Sequence, residues 1–254
     1  MNNIRNEKNV AMIPVRMGSK RVKSKNIRMI NGKPLVFYIL DSVIKSGCFP
    51  LQDIYINSED IIFESISKKL GISFYHRDPK LSSDSATNDD FLFDFLKKVD
   101  CDNIFQFLST SPLVKCHTIS QFVDSHLRSN LKTTISVKEI RIECLFNTKS
   151  INFSPTKQTP PSQDLEPIYA YACGLMAWNR EDYIRNFTHY SGAAYHGGNS
   201  KPNLFTLSEL ESVDIDTEED FIIAESLLNN QYRNKQKNYG SSEKTIYWDP
   251  SIAI

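Results

Sequence analysis

Between Val10 and Asn26 an apolar run, Val10-Ala-Met-Ile-Pro-Val15, leads into a turn crowded with positive charge. From Arg16 to Arg28 the chain carries Arg16, Lys20, Arg21, Lys23, Lys25 and Arg28 and no acid. Cations gathered directly after a short buried strand suit the phosphates of a nucleotide. Guanidinium and ammonium groups make charge-assisted bonds to phosphate oxygens, and backbone N–H groups in a tight turn add an anion nest. Arg16, Lys20 and Lys25 are the candidates for the α, β and γ phosphates, with Ser19 and Asn26 beside them. Gly18 would let the turn become tight or left-handed. The spacing is not that of a Walker A loop, and no GxGxxG run is present. Taken alone, the loop also reads as a solvated basic turn.

A second constellation lies near the other end, at Asp214-Ile215-Asp216-Thr217-Glu218-Glu219-Asp220. Read as a strand over 212–216, its alternation turns Asp214 and Asp216 to one side. Two carboxylates there could share a magnesium ion whose other ligands are phosphate oxygens. The competing use is structural, with Thr217 capping a helix whose first turn is acidic. Ser109-Thr110-Ser111-Pro112-Leu113 places hydroxyls where a sugar or phosphate could be held, or forms a plain turn before Pro112. Arg77 and Asn88 could read the polar edge of a base, or belong to a solvated loop and a capped helix.

Other chemistries are excluded. The five histidines have no metal-ligand spacing, and no Ser-His-Asp or Cys-His arrangement can be drawn. The cysteines, at 48, 101, 116, 144 and 173, form no CxxC, which predicts reduced thiols, with Cys101 and Cys173 as buried small hydrophobes. Lys plus Arg balance Asp plus Glu at 30 each, which argues against a nucleic-acid or membrane partner. No stretch has the length and apolarity of a signal peptide or membrane span, so the chain reads as soluble and cytoplasmic.

The elements that must position these residues alternate. Strands are predicted at 10–15 (ending near Pro14), 53–57, 73–76, 103–108 and 133–137. Helices are predicted at 35–46, with Pro34 in the first turn and Gly47 as stop, at 61–70 before Gly71, from a cap at Asn88 or Asp89 through 98, and at 117–128. Such alternation means parallel βαβ units in an α/β sheet covered on both faces. Ligands then sit beyond the carboxyl ends of the strands, so the turns after Val15, Asn57, His76 and Leu108 should share one rim. One domain is expected over 9–229. Within it, 138–168 is polar and broken by Pro155, Pro160, Pro161 and Pro167, an excursion for dimerisation or a lid. A strand at 169–178, a loop at 190–200, a helix at 218–229 and a polar tail at 230–254 complete the reading.

These blocks resemble the acylneuraminate cytidylyltransferases, the synthetases of CMP-sialic acid and of CMP-linked pseudaminic, legionaminic and related acids. The resemblance rests on Ile13-Pro14-Val15-Arg16-Met17-Gly18-Ser19-Lys20-Arg21 with Lys25-Asn26 and Asn31-Gly32-Lys33-Pro34-Leu35. It continues through Arg77, Leu81-Ser82-Ser83-Asp84 and Asp89, Thr110-Ser111-Pro112-Leu113, and Ser212-Val213-Asp214-Ile215-Asp216-Thr217. It implies a Rossmann-like fold with a mostly parallel sheet, and transfer of CMP from CTP to the anomeric hydroxyl of an acidic 2-keto sugar. Arg16, Lys20 and Lys25 would bind the triphosphate, Asp214 and Asp216 would hold Mg2+, and Arg77 and Asn88 would recognise cytosine. Asp216 or a metal-bound water would take the hydroxyl proton, and the excursion would form a homodimer. The departures fall on the acceptor side. Leu108-Ser109 replaces Gln-Pro, with Gln106 two residues earlier, and Val114 replaces Arg. Pro161-Ser162-Gln163-Asp164 lacks the arginines of Arg-Arg-Gln-Asp, and Tyr171-Ala172-Cys173-Gly174 stands for Arg-hydrophobic-Asn-Gly. The competing readings are a nucleotide-sugar glycosyltransferase with an Asp-x-Asp site, a cytidylyltransferase for another acid such as an octulosonate, and a non-enzymatic nucleotide-binding subunit.

Overall fold

Short apolar strands alternating with amphipathic helices build a seven-stranded sheet in the computed structural model, which describes residues 7–238. Its order is β11-β7-β10-β6-β1-β4-β5. The strands are β1 (Asn9–Pro14), β4 (Ile54–Ser58), β5 (Ser73–His76), β6 (Asn103–Phe107), β7 (Thr133–Ile140), β10 (Ile168–Asn179) and β11 (Asn203–Thr206). Two small hairpins lie outside the sheet, β2 (Met29–Ile30) with β3 (Lys33–Pro34), and β8 (Leu145–Phe146) with β9 (Lys149–Ser150). Every neighbour pair is parallel except those of β10, which runs against both β6 and β7. The sheet is therefore mostly parallel, with one reversed strand that the simple βαβ alternation did not indicate.

Val10, Ala11, Met12 and Ile13 are all fully buried, because β1 is central and covered on both faces. Ala11 and Ile13 face α1 (Val36–Ser46), α2 (Ile62–Leu70) and α4 (Cys116–Arg128). Val10 and Met12 face α3 (Asn88–Lys98) and α5 (Arg180–His189). A smaller cluster joins α6 (Glu218–Asn238) to Val22, Ile30, Leu35 and Ile215. It seats the late acidic segment against the basic loop.

Several boundaries move. Pro34 ends β3 and is not in the first turn of α1, while Gly47 does end that helix in a left-handed conformation. α3 is capped by Thr87, whose hydroxyl accepts from Asp90 N while the Asp90 carboxylate accepts from Thr87 N. Asn88 is thus the first helical residue, and Asp89 Oδ1 accepts from Tyr183 Oη and the Ala194 backbone. α5 and β11 escape the sequence pattern, since α5 buries only Tyr183. Residues 212–216 form no strand. α6 runs on to Asn238, so the expected tail boundary at 230 falls inside it, and the expected tail beyond 238 lies outside the described residues.

The polar excursion contains the β8–β9 hairpin and carries exposed Ile142, Leu145, Phe146 and Ile151. All five cysteines are free, but Cys173 is only half-buried, against the expectation. Among the described residues no helix is long and apolar enough to cross a membrane.

Candidate active site

The carboxyl ends of the parallel strands carry the turns that the alternation placed on one rim. Three of these turns line a cavity of about 270 Å³, formed by residues between Pro14 and Asn26, between Arg77 and Phe91, and at Leu108, Ser109 and Thr110. The turn after β4 joins them from below through Glu59. This carboxylate accepts from Met17 N at 2.9 Å, from Ser82 Oγ at 2.7 Å and from Arg77 Nη2 at 3.0 Å. Burial pushes its pKa up, yet these bonds together hold it below the usual range. Glu59 is the organiser that sequence reasoning missed. The signal available was an acid two residues past the end of a predicted strand.

Arg77 is buried and its guanidinium is engaged. Nη2 donates to Val15 O at 2.7 Å and to Glu59, and Nε donates to Ser82 Oγ at 2.9 Å. It also stacks over Phe91, 5.0 Å from the ring centre. The structure uses Arg77 as a strut in the cavity wall. Asn26 is likewise buried and spent on scaffolding: Nδ2 donates to Arg16 O at 2.7 Å, and Oδ1 accepts from Ser109 Oγ at 2.6 Å. It ties the basic loop to the hydroxyl-rich turn after β6. Gly18 is not left-handed, and a Cβ there would meet nothing within 4 Å. The left-handed residue of this loop is Ser24, at φ 50°.

The remaining cations ring the mouth. Arg16 Nη1 donates to the Ser82 and Ser83 carbonyls at 3.2 and 3.3 Å and lies 3.6 Å from Asp84, which also pairs with Lys20. Arg21 Nη2 is 2.9 Å from Asp216 Oδ1, and Lys25 Nζ is 3.7 Å from the same oxygen. Lys25 also donates to Ile215 O at 2.6 Å, and Ile215 N donates to Thr110 O at 3.0 Å. Segments about 190 residues apart in sequence therefore meet at one rim, without the strand expected at 212–216. Buried Ile215 pins the segment and leaves Asp214 and Asp216 on either side of it.

The helix cap uses neither of those two acids. Asp220 Oδ2 accepts from Asp216 N and Thr217 N, and Thr217 Oγ1 accepts from Asp220 N. Asp214 Oδ1 is buried without a hydrogen-bond partner. Burial, helped by the Asp216 charge, raises its pKa, against the opposing pull of Thr110 and Lys25. Burial lowers that of Lys25, although both acids pull it the other way. A partnerless buried carboxylate oxygen beside a second carboxylate fits a hard divalent cation. Among the described residues no third His, Cys, Asp or Glu completes a site, so phosphate oxygens and water would have to supply the remaining ligands.

A family model described as cytidylyltransferase matches residues 10–160, more than half of the chain. The chain belongs to the cytidylyltransferase family. It is 31% identical over 222 residues to an N-acylneuraminate cytidylyltransferase of Streptococcus agalactiae, covering 85% of this chain and 52% of that protein. It spans about half the length of the streptococcal relatives it matches. The CMP-N,N'-diacetyllegionaminic acid synthase of Legionella pneumophila is 30% identical, with 86% of this chain and 95% of that protein covered. A pseudaminic acid cytidylyltransferase of Campylobacter jejuni is 27% identical over 80% of this chain and 94% of its own. Among solved structures, a CMP:2-keto-3-deoxy-manno-octonic acid synthetase complexed with CTP superposes with a TM-score of 0.65 at 15% identity. That match covers 88% of this chain and 99% of the other, and it shows the Rossmann-like α/β fold alone.

β10 carries a wide bulge. One β7 residue, Ser136, faces the four β10 residues between Tyr171 and Met176. The bulge holds Cys173 at φ 56° and presses Gly174 against Ser111. The Tyr171 and Tyr195 rings flank His196 at 5.4 and 5.2 Å, so this part of the rim is aromatic and thiol-bearing.

Proposed function

We propose that this protein transfers CMP from CTP to the anomeric hydroxyl of an acidic 2-keto sugar of the nonulosonate class, releasing pyrophosphate. The observation that carries the reading is the meeting of Lys25 and Arg21 with Asp216, beside Asp214 and its partnerless oxygen. A cation cradle next to two carboxylates is what a metal-bound triphosphate needs, and an isolated basic turn would not have it. The names of the streptococcal, Legionella and Campylobacter relatives support the acceptor class.

In this reading Arg16, Lys20 and Lys25 hold the triphosphate and spread the charge that develops as pyrophosphate leaves. Asp214 and Asp216 would hold Mg2+, which, when bound, supplies Lewis-acid polarisation of the phosphoryl oxygens. The acceptor hydroxyl attacks the α-phosphorus in line, with Asp216 available for its proton. Arg77 supports the reading as a fixed wall of the cavity, while Asn88 lies behind that wall, bonded to Gln106. Exposed apolar residues of the excursion support a homodimer.

The test is pyrophosphate release with each of the four NTPs, Mg2+ and a panel of 2-keto acid sugars. CTP should be strongly preferred. Equal or better turnover with UTP, GTP or ATP would refute the assignment.

A further inference from the structure

Of the cations between Arg16 and Arg28, the ones that line the cavity are Arg16, Lys20, Arg21 and Lys25. Arg28 does not line it, and its guanidinium turns instead to the first turns of α6. The guanidinium carbon lies 3.9 Å over the centre of the Phe221 ring, and Nη1 donates to Glu218 Oε2 at 2.5 Å. Phe221 is buried in the cluster that also holds Val22, Ile30, Leu35 and Ile215, so the ring under Arg28 is fixed. The backbone of Arg28 is fixed as well. Its N–H donates to Ser24 O at 3.0 Å and to Lys25 O at 3.2 Å, and its carbonyl accepts from Leu35 N at 2.9 Å.

These contacts close a circuit. Lys25 is tied to Arg28 through the main chain, and Arg28 to α6 through Glu218 and Phe221. α6 is tied to Asp216, whose N–H donates to Asp220 Oδ2 at 3.0 Å. Asp216 Oδ1 then returns to Lys25 Nζ at 3.7 Å. The links in this circuit differ in what a ligand would do to them. A triphosphate drawn to Lys25 and Arg21 competes with Asp216 for both, because the same ammonium and guanidinium groups are engaged. The Arg28 link lies away from the cavity and is not contested.

We propose that Arg28 is a positioning residue that holds the phosphate-binding loop against the acidic segment while Lys25 and Arg21 exchange carboxylate for phosphate. It acts through Lys25 and Asp216 and touches neither nucleotide nor metal. The inference rests on the reading of the site as a triphosphate cradle.

Arg28→Met keeps an aliphatic stem over Phe221 and removes the charge, whereas Arg28→Lys keeps the charge. Calorimetry would give the affinity of each for CTP with Mg2+. Hydrogen exchange of the Asp216 and Thr217 amides, both bonded to Asp220, would report the anchoring of the acidic segment in protein holding neither CTP nor metal. Arg28→Met should bind CTP about three- to tenfold more weakly, the range expected for losing one partly exposed ion pair and one cation–π contact. Exchange at both amides should quicken by a similar factor, and KM for CTP should move more than kcat. Arg28→Lys should recover much of each loss. Glu218→Gln, at a half-exposed position, should shift the same readouts, and does so independently of whether Arg28→Met folds. An arginine that merely supports the fold would lower the thermal midpoint and leave CTP affinity unchanged in the folded protein. Affinity and exchange both indistinguishable from wild type in the folded variants would overturn the proposal. Weaker affinity with unchanged exchange would also overturn it, because Arg28 would then be acting on the triphosphate directly. A wild type that does not bind CTP would refute the triphosphate reading, while faster exchange in Arg28→Met would still show the clamp on the acidic segment.

Discussion

Gly174→Ala tests whether the β10 bulge positions the hydroxyl-rich turn after β6. A Cβ at 174 would sit 2.5 Å from Ser111 Oγ and 2.9 Å from Ser111 Cβ, closer than side chains tolerate. Gly174 does not lie in the left-handed region, so alanine adds this contact and no backbone penalty. Gly174 O accepts from Leu108 N at 2.9 Å, and Leu108 O accepts from Ser111 N at 3.2 Å, so the strain falls on the joint between β10 and the turn. Overpacking a tight contact costs about 1–3 kcal/mol. Urea unfolding should show a loss on the order of 2 kcal/mol. Displacing the turn, which also carries the Thr110 carbonyl bonded to Ile215, should lower kcat/KM by roughly ten- to a hundredfold. Ser111→Gly removes both clashing atoms, so the double variant should recover about 1 kcal/mol or more relative to additivity. A Gly174→Ala protein within about 0.5 kcal/mol of wild type, or a strictly additive double variant, would refute the reasoning.

Further outcomes follow from the charges. Asp216→Asn should fold normally and lower turnover by about a hundredfold or more. Unchanged turnover at saturating Mg2+ and CTP would remove Asp216 from the metal role. Lys25→Met should weaken CTP binding, measured by calorimetry, more than Lys20→Met, although each removes one charge. The reverse order would contradict the argument from burial. His126 is buried against Phe105, with Nδ1 2.8 Å from Thr134 Oγ1, and burial pulls its pKa from 6.5 down to about 4. The unfolded chain then binds the proton more readily, so stability is complete above about pH 6.5 and is lost as pH falls toward 4. The full loss is on the order of 3 kcal/mol from this one group. Unfolding at stepped pH should show that slope in wild type and lose it in His126→Gln. An equal slope in both would reassign the acid sensitivity to the carboxylates.

The parallel half of the sheet was legible because its strands are short, mostly apolar runs and two of its helices end at Gly47 and Gly71, which adopt the left-handed conformation that glycine favours. The reversed β10 was not, since its apolar run carries no sign of direction. α5 escaped because its apolar face is sparse, with Tyr183 buried and Ile184 and Phe187 only partly so. That the basic loop and Asp214-Ile215-Asp216 would meet was legible, but for a partly mistaken reason. Alternation along a strand was invoked, whereas a buried Ile215 and two bonds, to Lys25 and Thr110, hold the acids in place. Arg77 and Asn26 were legible as polar and near the site, but not as struts. Their partners, Glu59 and Ser109, sit in the turns after other strands, β4 and β6, and residue type does not reveal who spends a hydrogen bond on whom.

Burial also separates the cations that must yield from the one that need not. Lys20, Arg16 and Arg21 pair with Asp84 and Asp216 through side chains that are all substantially exposed. Such pairs are worth about 0–1 kcal/mol in water, so a triphosphate offering denser negative charge can replace the carboxylates at little cost. Lys25 is different: its side chain is 14% exposed and already bonded to the Ile215 carbonyl. A neutral carbonyl leaves its charge uncompensated, and the opposite charges it feels are Asp214 and Asp216. Drawing those acids onto a divalent cation would strip Lys25 of its counter-charge in a poorly solvated place. A phosphate oxygen arriving with the metal would restore that balance. If Asp214 and Asp216 take a metal as proposed, this geometry would couple metal and triphosphate through a single ammonium group, with the exposed cations around it as reinforcement.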